Sequence, residues 1–498
     1  MTVLLFVILA FPLLLLFLHR KRRKNGGLLH LPPGPPGLPV IGNLHQMDNS
    51  APHRYLWQLS KQYGPLMSLR LGFVPTIVVS SARIAKEVMK THDLEFASRP
   101  SLIGPQRLSY NCLDLAFSPY NDYWREMRKI CVLHLFTLKR VKSYTPIREY
   151  EVSQMIEKLS KLASASKLIN LSETVMFLTS TIICRIAFGK RYEDEGCERS
   201  RFHGLLYDAQ AMLGSFFFSD YFPLMGWFDK LTGLTARLEK TFRDMDLFYQ
   251  EIIEEHLKPD RKKQEQEDIT DVLIGLQKDN SFAIDITWDH IKGVLMNIFV
   301  GGTDAGTATV NWVMTALMKN PRVMKKAQEE VRNTFGKKGF IGEDDVEKLP
   351  YLKAVVKETM RLLPAAPLLI PRETLQKCSI DGYEIPPKTL VFVNAWAIGR
   401  DPEAWENPEE FIPERFLGSS VDFRGQHYKL IPFGGGRRVC PAIHIGAVTV
   451  ELILANLLYS FDWEMPAGMN KEDIDFDVIP GLTMHKKNDL SLMAKNYN

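Results

Sequence analysis

The chain has 498 residues, of which 45% are hydrophobic and 24% are charged. This composition supplies an ample core and excludes wholesale disorder, collagen-like repeats and a polytopic membrane protein. The 62 basic and 58 acidic side chains nearly balance, and five basic residues are consecutive at 20–24. A broad basic face for nucleic acid is therefore not expected. Six cysteines without a Cys-x-x-Cys pair predict neither a disulfide framework nor a zinc knuckle.

An uncharged apolar stretch, residues 2–18, lies at the start of the chain. Its 17 residues would form a helix of about 26 Å, close to the thickness of a bilayer core. The basic run HRKRRK that follows marks the cytosolic side. A cleaved signal peptide is the weaker alternative, because basic residues stand where a cleavage site should be. The pattern predicts a transmembrane anchor over residues 1–18.

A basic and proline-rich linker is predicted over residues 19–40. Residues 31–39 read LPPGPPGLP, and five of these nine residues are proline. Proline restricts its own φ and the residue before it, so this segment is a stiff, non-helical spacer. The remaining residues, 41–498, are expected to form one catalytic domain.

The body of the chain predicts a mainly helical domain with small β-sheets. Residues 65–80 read as two strands around a Gly-Phe-Val-Pro turn. A long central helix is expected to begin after Thr287, a favourable N-cap, and to end at Pro321. The other main elements expected from apolar spacing are helices over 147–163, 236–257 and 345–363 and short strands within 378–395.

The segment PFGGGRRVCPAIHIG, residues 432–446, carries the strongest chemical signal. Three consecutive glycines, 434–436, allow the backbone to approach a ligand closely. Cys440 stands just before a helical run, and Arg437 and Arg438 add positive charge, so its thiolate is favoured. Such a cysteine can ligate a metal or act as a nucleophile. Taken alone, a single cysteine is more often structural.

Two further motifs precede this cysteine, Glu358-Thr-Met-Arg361 and the segment FIPERF at 411–416. In this order and spacing, the pattern resembles the cytochrome P-450 family, the haem-thiolate monooxygenases. The family's Phe-x-x-Gly-x-Arg-x-Cys pattern falls on Phe433, Gly436, Arg438 and Cys440. The likeness runs from the N-terminal segment to the C-terminus and is strongest to the plant A-type branch of the endoplasmic reticulum, which serves specialised metabolism.

The resemblance implies the cytochrome P-450 fold and a role for individual residues. Cys440 would ligate the iron of haem b, and a thiolate in that position favours O–O cleavage. Glu358, Arg361 and Arg415 would form a buried cluster. The residues implied in haem binding are Trp124, Arg128, Arg372, Phe433, Arg438 and Cys440.

Two positions depart from the family pattern. Ala305 stands where the family usually has a threonine that helps to deliver protons during oxygen activation. Thr303, Asp304 and Thr307 are the remaining catalytic candidates, and a water held by Asp304 is the favoured carrier. The two threonines lie about 200° round the helix from position 305, which argues against direct substitution. Ala442 replaces a glycine two residues after the cysteine, a change that we expect to be tolerated.

The substrate pocket is expected to come from the segments in which members of the family vary. Their side chains here are mostly apolar, which favours a small or medium hydrophobic substrate. The segments are the stretch after Arg99, residues around 213–218, the helix near 301–304, and residues 365–369 and 479–484.

The resulting hypothesis is a monooxygenase that inserts one oxygen atom from O2 into a small hydrophobic plant metabolite. Its partners would be NADPH–cytochrome P-450 reductase and membrane lipid, and the chain would lie in the endoplasmic reticulum membrane with its catalytic domain in the cytosol. The absence of a nucleotide-binding glycine fingerprint supports an external electron donor. Two alternatives remain, a haem-dependent dehydratase or isomerase (for example aldoxime to nitrile), suggested by Ala305, and a haem-binding protein without catalysis.

Overall fold

A computed structural model describes residues 30–192, 197–261, 266–279 and 282–497. The predicted anchor and the basic part of the predicted linker lie outside the described residues. The α-helices are α1 (Pro52–Tyr63), α2 (Ala82–Lys86), α3 (Ile103–Leu108), α4 (Asp122–His134), α5 (Leu138–Ser143), α6 (Thr145–Ser164), α7 (Leu171–Phe188), α8 (Cys197–Leu213), α9 (Phe218–Tyr221), α10 (Gly226–Leu231), α11 (Leu234–Leu257), α12 (Ile269–Asp279), α13 (Trp288–Lys319), α14 (Pro321–Phe335), α15 (Pro350–Leu362), α16 (Ala395–Ile398) and α17 (Ile443–Ser460).

The described part of the chain also contains eleven short strands. The strands are β1 (Leu66–Leu71), β2 (Val74–Val79), β3 (Ile169–Asn170), β4 (Arg372–Glu373), β5 (Cys378–Ile380), β6 (Tyr383–Ile385), β7 (Leu390–Val393), β8 (Phe461–Glu464), β9 (Val478–Ile479), β10 (His485–Lys486) and β11 (Ser491–Asn496). The largest sheet has the order β1-β2-β7-β4, and only the β2–β7 pair in it is parallel. The mainly helical prediction with small sheets is therefore confirmed.

The central helix α13 organises the core. Thr287 is its N-cap, and the backbone N–H of Thr287 donates to Nδ1 of His290 at 3.0 Å. Most of the helix is buried, and its flank packs against α7, where the side chain of Ile183 lies over Gly302. The predicted start and end of this helix are confirmed. Because the rest of the domain surrounds the helix, the residues near its middle have a fixed position in the core.

One predicted helix is wrong at its start. The expected helix over 345–363 begins only at Pro350, after a separate 3-10 turn, Glu343–Lys348. Proline lacks the N–H that would continue the earlier turn, but it suits the first position of a helix. The element therefore divides at Leu349.

The proline-rich segment packs along strand β1. The carbonyl oxygens of Pro32 and Pro33 accept hydrogen bonds from the hydroxyl and backbone N–H of Ser68, at 2.6 and 2.8 Å. A Cβ at Gly34 would lie 1.8 Å from the Ser68 carbonyl oxygen, so only glycine allows this approach. The described part of the predicted linker is thus attached to the domain.

Two described helices, α7 and α17, are long and apolar enough to cross a membrane. Two thirds of each is buried inside the domain, at 67%. Both follow the pattern of core helices, which are hydrophobic on all sides because the protein surrounds them.

A buried ion cluster joins α15 to the segment before the cysteine loop. The Glu358 carboxylate accepts two hydrogen bonds of 2.7 Å from Arg361 and one of 3.0 Å from Nε of Arg415. The backbone N–H of Ile412 donates to the same carboxylate at 2.8 Å. Glu358 and the side chain of Arg361 are fully buried. The expected Glu–Arg–Arg cluster is therefore present.

Glu358→Gln should destabilise the fold by about 3–5 kcal/mol, because it leaves the buried Arg361 cation without its counter-charge. Thermal unfolding of the purified protein measures the effect. The control is Glu329→Gln, which breaks a 3.7 Å surface pair with Lys325 and should cost at most about 1 kcal/mol. Equal effects of the two changes would contradict the prediction.

Candidate active site

The cysteine loop has a geometry that depends on glycine. Gly436 has a φ of +64°, and a Cβ there would lie 2.1 Å from the carbonyl oxygen of Met89. Both facts exclude other residues without a shift of the backbone. The backbone N–H of Cys440 donates to the carbonyl of Phe433 at 2.9 Å, which closes the loop. Ala442 has an ordinary φ of −96°, so its backbone needs no glycine.

The environment of Cys440 favours the neutral thiol in the absence of a metal. Burial raises the pKa of Cys440, and the backbone N–H of Ala442 and the Arg128 guanidinium oppose this only in part. The sequence argument from the helix terminus and the neighbouring arginines is therefore outweighed by desolvation. A metal ion reverses this balance, since a coordinating thiol is deprotonated outright.

Four buried or half-buried arginines converge beside this loop: Arg99, Arg128, Arg372 and Arg438. Each donates to backbone carbonyls. Nε of Arg438 donates to Ala97 at 2.6 Å, and Nη2 of Arg372 donates to Gly435 at 2.8 Å. Arg128 donates to Val439 at 2.6 Å. These contacts place cations from four separate segments around the cysteine loop.

The cluster carries more positive than negative charge. Burial, together with the neighbouring arginines, lowers the pKa of Arg438 to about 9, and burial lowers that of Arg372 to about 10. Asp114 is a carboxylate that acts on the cluster, and burial raises its pKa to about 6. Nη1 of Arg438 is buried and has no partner in the described part of the chain. A ligand with carboxylates fits this site, and haem b carries two.

Trp124, which the resemblance implies in haem binding, lies among these arginines. Its indole N–H donates to the carbonyl of Leu115 at 3.0 Å. The guanidinium carbon of Arg438 lies 3.9 Å from the centre of the indole ring, and that of Arg128 lies 5.5 Å away. Trp124 therefore makes cation–π contacts with two of the cations.

The three catalytic candidates on α13 have different surroundings. The hydroxyl of Thr307 lies 2.6 Å from that of Thr179 on α7 and donates to the Thr303 carbonyl at 2.8 Å. It is thus occupied on the α7 side, as the helical geometry predicted. The hydroxyl of Thr303 is buried and has no hydrogen-bond partner among the described residues.

Asp304 is buried and has one identified partner. Its side chain is 3% exposed, and its Oδ1 lies 2.5 Å from Nε2 of His485 on β10. Its other oxygen, Oδ2, is buried and has no partner within the described ranges. Burial lowers the pKa of His485, but the Asp304 carboxylate outweighs it, so the pKa lies above its usual value.

The segments expected to line the pocket approach one another. The N–H of Met484 donates to the carbonyl of Ala365 at 2.7 Å. A Cβ built on Gly214 would lie 3.3 Å from Gly481. A Cβ at Gly301 would meet nothing within 4 Å, so open space adjoins the middle of α13. The arrangement brings 213–218, 365–369 and 479–484 close together.

Sequence reasoning missed Arg99, Asn297 and His485. The side-chain oxygen of Asn297 on α13 accepts from the N–H groups of Leu115 and Ala116, at 2.9 and 3.1 Å, and holds the loop beside the arginines. His485 directly follows the predicted pocket segment 479–484, and its position there was the available signal. Arg99 had been named only as a boundary.

The comparisons with known proteins agree with this geometry. Residues 32–493 match the family described as Cytochrome P450. This chain belongs to the cytochrome P450 family. A 6,7,8-trihydroxycoumarin synthase of Pastinaca sativa is 53% identical over 99% of this chain and 99% of that protein. A 5-OH-xanthotoxin synthase of Ammi majus is 51% identical, over 99% of this chain and 98% of the relative.

A broader comparison supports the same assignment. Cytochrome P450 71A1 of Persea americana is 50% identical over 99% of this chain and 98% of the relative. A solved structure of a zebra fish cytochrome P450 with abiraterone has a TM-score of 0.75 and 28% identity, covering 90% of this chain and 99% of that chain. The family carries a haem ligated by a cysteine thiolate, and the chain is an oxygen-dependent monooxygenase. The expected family, cofactor and enzyme class are confirmed, and a non-catalytic role is wrong.

Cys440→His should remove the red-shifted Soret band that a thiolate-ligated haem shows after reduction and addition of carbon monoxide. The change replaces a strong anionic donor with a neutral imidazole. Absorption spectra of the purified variant test this, with haem content measured separately. Cys378→Ser, at a half-buried cysteine in β5, is the control and should keep the band. A full band in Cys440→His would contradict the prediction.

Proposed function

We propose that this monooxygenase hydroxylates an aromatic ring of a coumarin-type plant metabolite. The observation that carries the proposal is the near-complete match, at 53% and 51% identity, to two synthases named for a hydroxylated coumarin and for 5-OH-xanthotoxin. One atom of O2 enters the ring and the other leaves as water. A planar aromatic substrate is compatible with the open space beside Gly301 and with the largely apolar segments expected to line the pocket.

Cys440 is proposed as the ligand of the haem iron, with Phe433 at the base of its loop. The backbone N–H of Cys440 is tied to Phe433, and the excess positive charge of Arg128, Arg372 and Arg438 matches the two haem carboxylates. When bound, the haem supplies the oxygen-activating redox chemistry. The residues of this chain orient the group, neutralise its carboxylates and exclude water from it.

Electrons are proposed to come from NADPH through a separate NADPH–cytochrome P450 reductase. The sequence has no glycine fingerprint for a nucleotide of its own. The apolar residues 2–18 and the basic run after them support a single-pass anchor in the endoplasmic reticulum membrane, with the catalytic domain in the cytosol.

Proton supply is proposed to run through Asp304 and water. Ala305 has no hydroxyl, and the hydroxyl of Thr307 is engaged with Thr179. Asp304 keeps one buried oxygen without a partner in the described part of the chain, and a water can bind there. The dehydratase alternative rests on Ala305 alone, whereas the names of the relatives support oxygen insertion.

A turnover assay with a panel of coumarins tests the proposed function. The protein in membranes, combined with a plant reductase, should convert at least one coumarin to a product heavier by one oxygen atom, and only with both NADPH and O2. Labelled O2 should place one labelled atom in the product. An aldoxime in the same assay tests the dehydratase alternative. Conversion of the aldoxime without O2, with no coumarin oxidised, would contradict the proposal.

Ala305→Thr should raise the amount of product formed per NADPH several-fold and lower peroxide release. The threonine restores the hydroxyl that the family usually has at this position. The expected gain is smaller than the about 10²–10⁴-fold contribution of a complete acid relay. Thr307→Ala is the matched control and should change little, because its hydroxyl bonds to α7 and to its own helix. Uncoupling by Thr307→Ala, with no effect of Ala305→Thr, would show that Thr307 is the relay.

A further inference from the structure

The pair Asp304–His485 joins the middle of the central helix to the hairpin that β9 and β10 form near the C-terminus. The two residues are 181 positions apart in the sequence, and Nε2 of His485 lies 2.5 Å from Oδ1 of Asp304. The carboxylate is 3% exposed and the histidine side chain 23% exposed. His485 is therefore the member of the pair that water reaches.

The position of His485 is determined by contacts on both sides of it. The carbonyl of Met484 accepts a hydrogen bond of 2.7 Å from the indole N–H of Trp312, which lies about two turns beyond Asp304 on α13. Nζ of Lys486 donates to the carbonyl of Asp475 at 2.6 Å, away from Asp304. The strand β10 is thus attached to α13 through the residue before the histidine, and to the segment that precedes β9 through the residue after it.

The two oxygens of the Asp304 carboxylate therefore have different surroundings. Oδ1 is engaged by the imidazole, and Oδ2 is buried and has no partner among the described residues. A buried carboxylate oxygen without a hydrogen bond is costly, so it needs a water or a substrate group. In this helix the residue that follows, Ala305, cannot provide a hydroxyl.

We propose that His485 is the positioning residue for Asp304, holding Oδ1 so that Oδ2 accepts and passes on the protons that oxygen activation consumes. This inference rests on the proposed monooxygenase function. The β9–β10 hairpin thereby contributes to the proton supply. On α13 itself, Ala305 has no hydroxyl and the hydroxyl of Thr307 is engaged with Thr179. Only protons move in this role, from water to Asp304 Oδ2 and onward.

The charged groups around the pair are few. Asp304, from α13, is the charged group that acts on the pKa of His485. On β10 itself, the charge of Lys486 is turned towards Asp475. Burial lowers the pKa of His485, and the Asp304 carboxylate raises it by more than burial lowers it, so the pKa lies above its usual value.

Three variants test the role in the full-length protein with its reductase. His485→Leu removes the hydrogen bond to Asp304. His485→Gln keeps an N–H donor but cannot titrate. Lys487→Gln changes an exposed residue nearby in the chain and leaves the contacts on both sides of His485 in place. Product formed and hydrogen peroxide released per NADPH are measured for each, with a coumarin that the wild type hydroxylates.

His485→Leu should lower product per NADPH about tenfold. This is less than the about 10²–10⁴-fold contribution of a complete acid relay, because Asp304 itself remains in place. His485→Gln should recover most of this loss, and Lys487→Gln should couple like the wild type. The proposal is overturned if His485→Leu couples normally, if His485→Gln is as poor as His485→Leu, or if Lys487→Gln uncouples to the same degree.

Thermal unfolding against pH gives a second readout that needs neither substrate nor reductase. Because the folded protein raises the pKa of His485 above its usual 6.5, the pair contributes stability that is complete below pH 6.5 and is lost as the pH rises through the folded pKa. The Tm difference between wild type and His485→Gln should therefore shrink above pH 6.5. A difference independent of pH would overturn the pairing.

The two readouts separate the inference from the function on which it rests. If the wild type oxidises no coumarin, the proposed substrate class fails, whereas the pH dependence of unfolding still decides whether His485 and Asp304 pair. If the wild type oxidises a coumarin and His485→Leu does so with unchanged coupling, the function stands and the role of His485 is wrong.

Discussion

Excess positive charge beside the cysteine loop is the constraint on which the site depends. Guanidinium groups from four segments that are distant in the sequence donate to backbone carbonyls there, and at least one N–H of Arg438 has no partner within the described residues. Bringing cations together away from water is unfavourable unless anions join them. A dicarboxylate cofactor supplies those anions, so its binding free energy adds to the stability of the folded domain.

In the Glu358 cluster, by contrast, the anion that pairs with the arginines is part of the protein. There, one carboxylate pairs with two arginines and also accepts a backbone N–H, so both oxygens of the buried Glu358 have partners within the protein. The cluster connects α15 with the segment that leads to the cysteine loop and needs no ligand. The contrast separates the two kinds of buried arginine in this chain. Those around Glu358 maintain the fold, and those around Cys440 form a cationic site that suits the two carboxylates of haem b.

The sequence predicts the elements whose signals are local. The N-cap at Thr287, the alternating strands on either side of Gly72 and the glycines before Cys440 each fold according to their immediate neighbours. The family motifs identify the cysteine and the Glu–Arg cluster. The helix that was expected from residue 345 fails because a single proline, Pro350, divides a continuous apolar pattern.

Contacts between distant segments could not be predicted in the same way. His485 meets Asp304 only because the hairpin folds back on α13, and Asn297 meets the loop at Leu115 for a similar reason. The Trp124 indole also has a backbone acceptor nine residues away, which competes with the ligand that the motif implies. A local sequence pattern predicts the element in which a residue lies and the face that it occupies. It does not predict which distant residue it contacts.

The two flanks of the central helix explain why position 305 can vary. Gly302 lies under Ile183, and the hydroxyl of Thr307 meets Thr179, so this flank is committed to packing against α7. Gly301, four residues before Ala305 and therefore on nearly the same face, adjoins open space. Ala305 itself is only partly buried. A threonine at 305 would extend towards that space and away from α7, so the fold does not demand alanine there. The lack of a hydroxyl at this position therefore concerns the chemistry of the pocket and not the packing of the helix, which is why the proton route is proposed to run through Asp304.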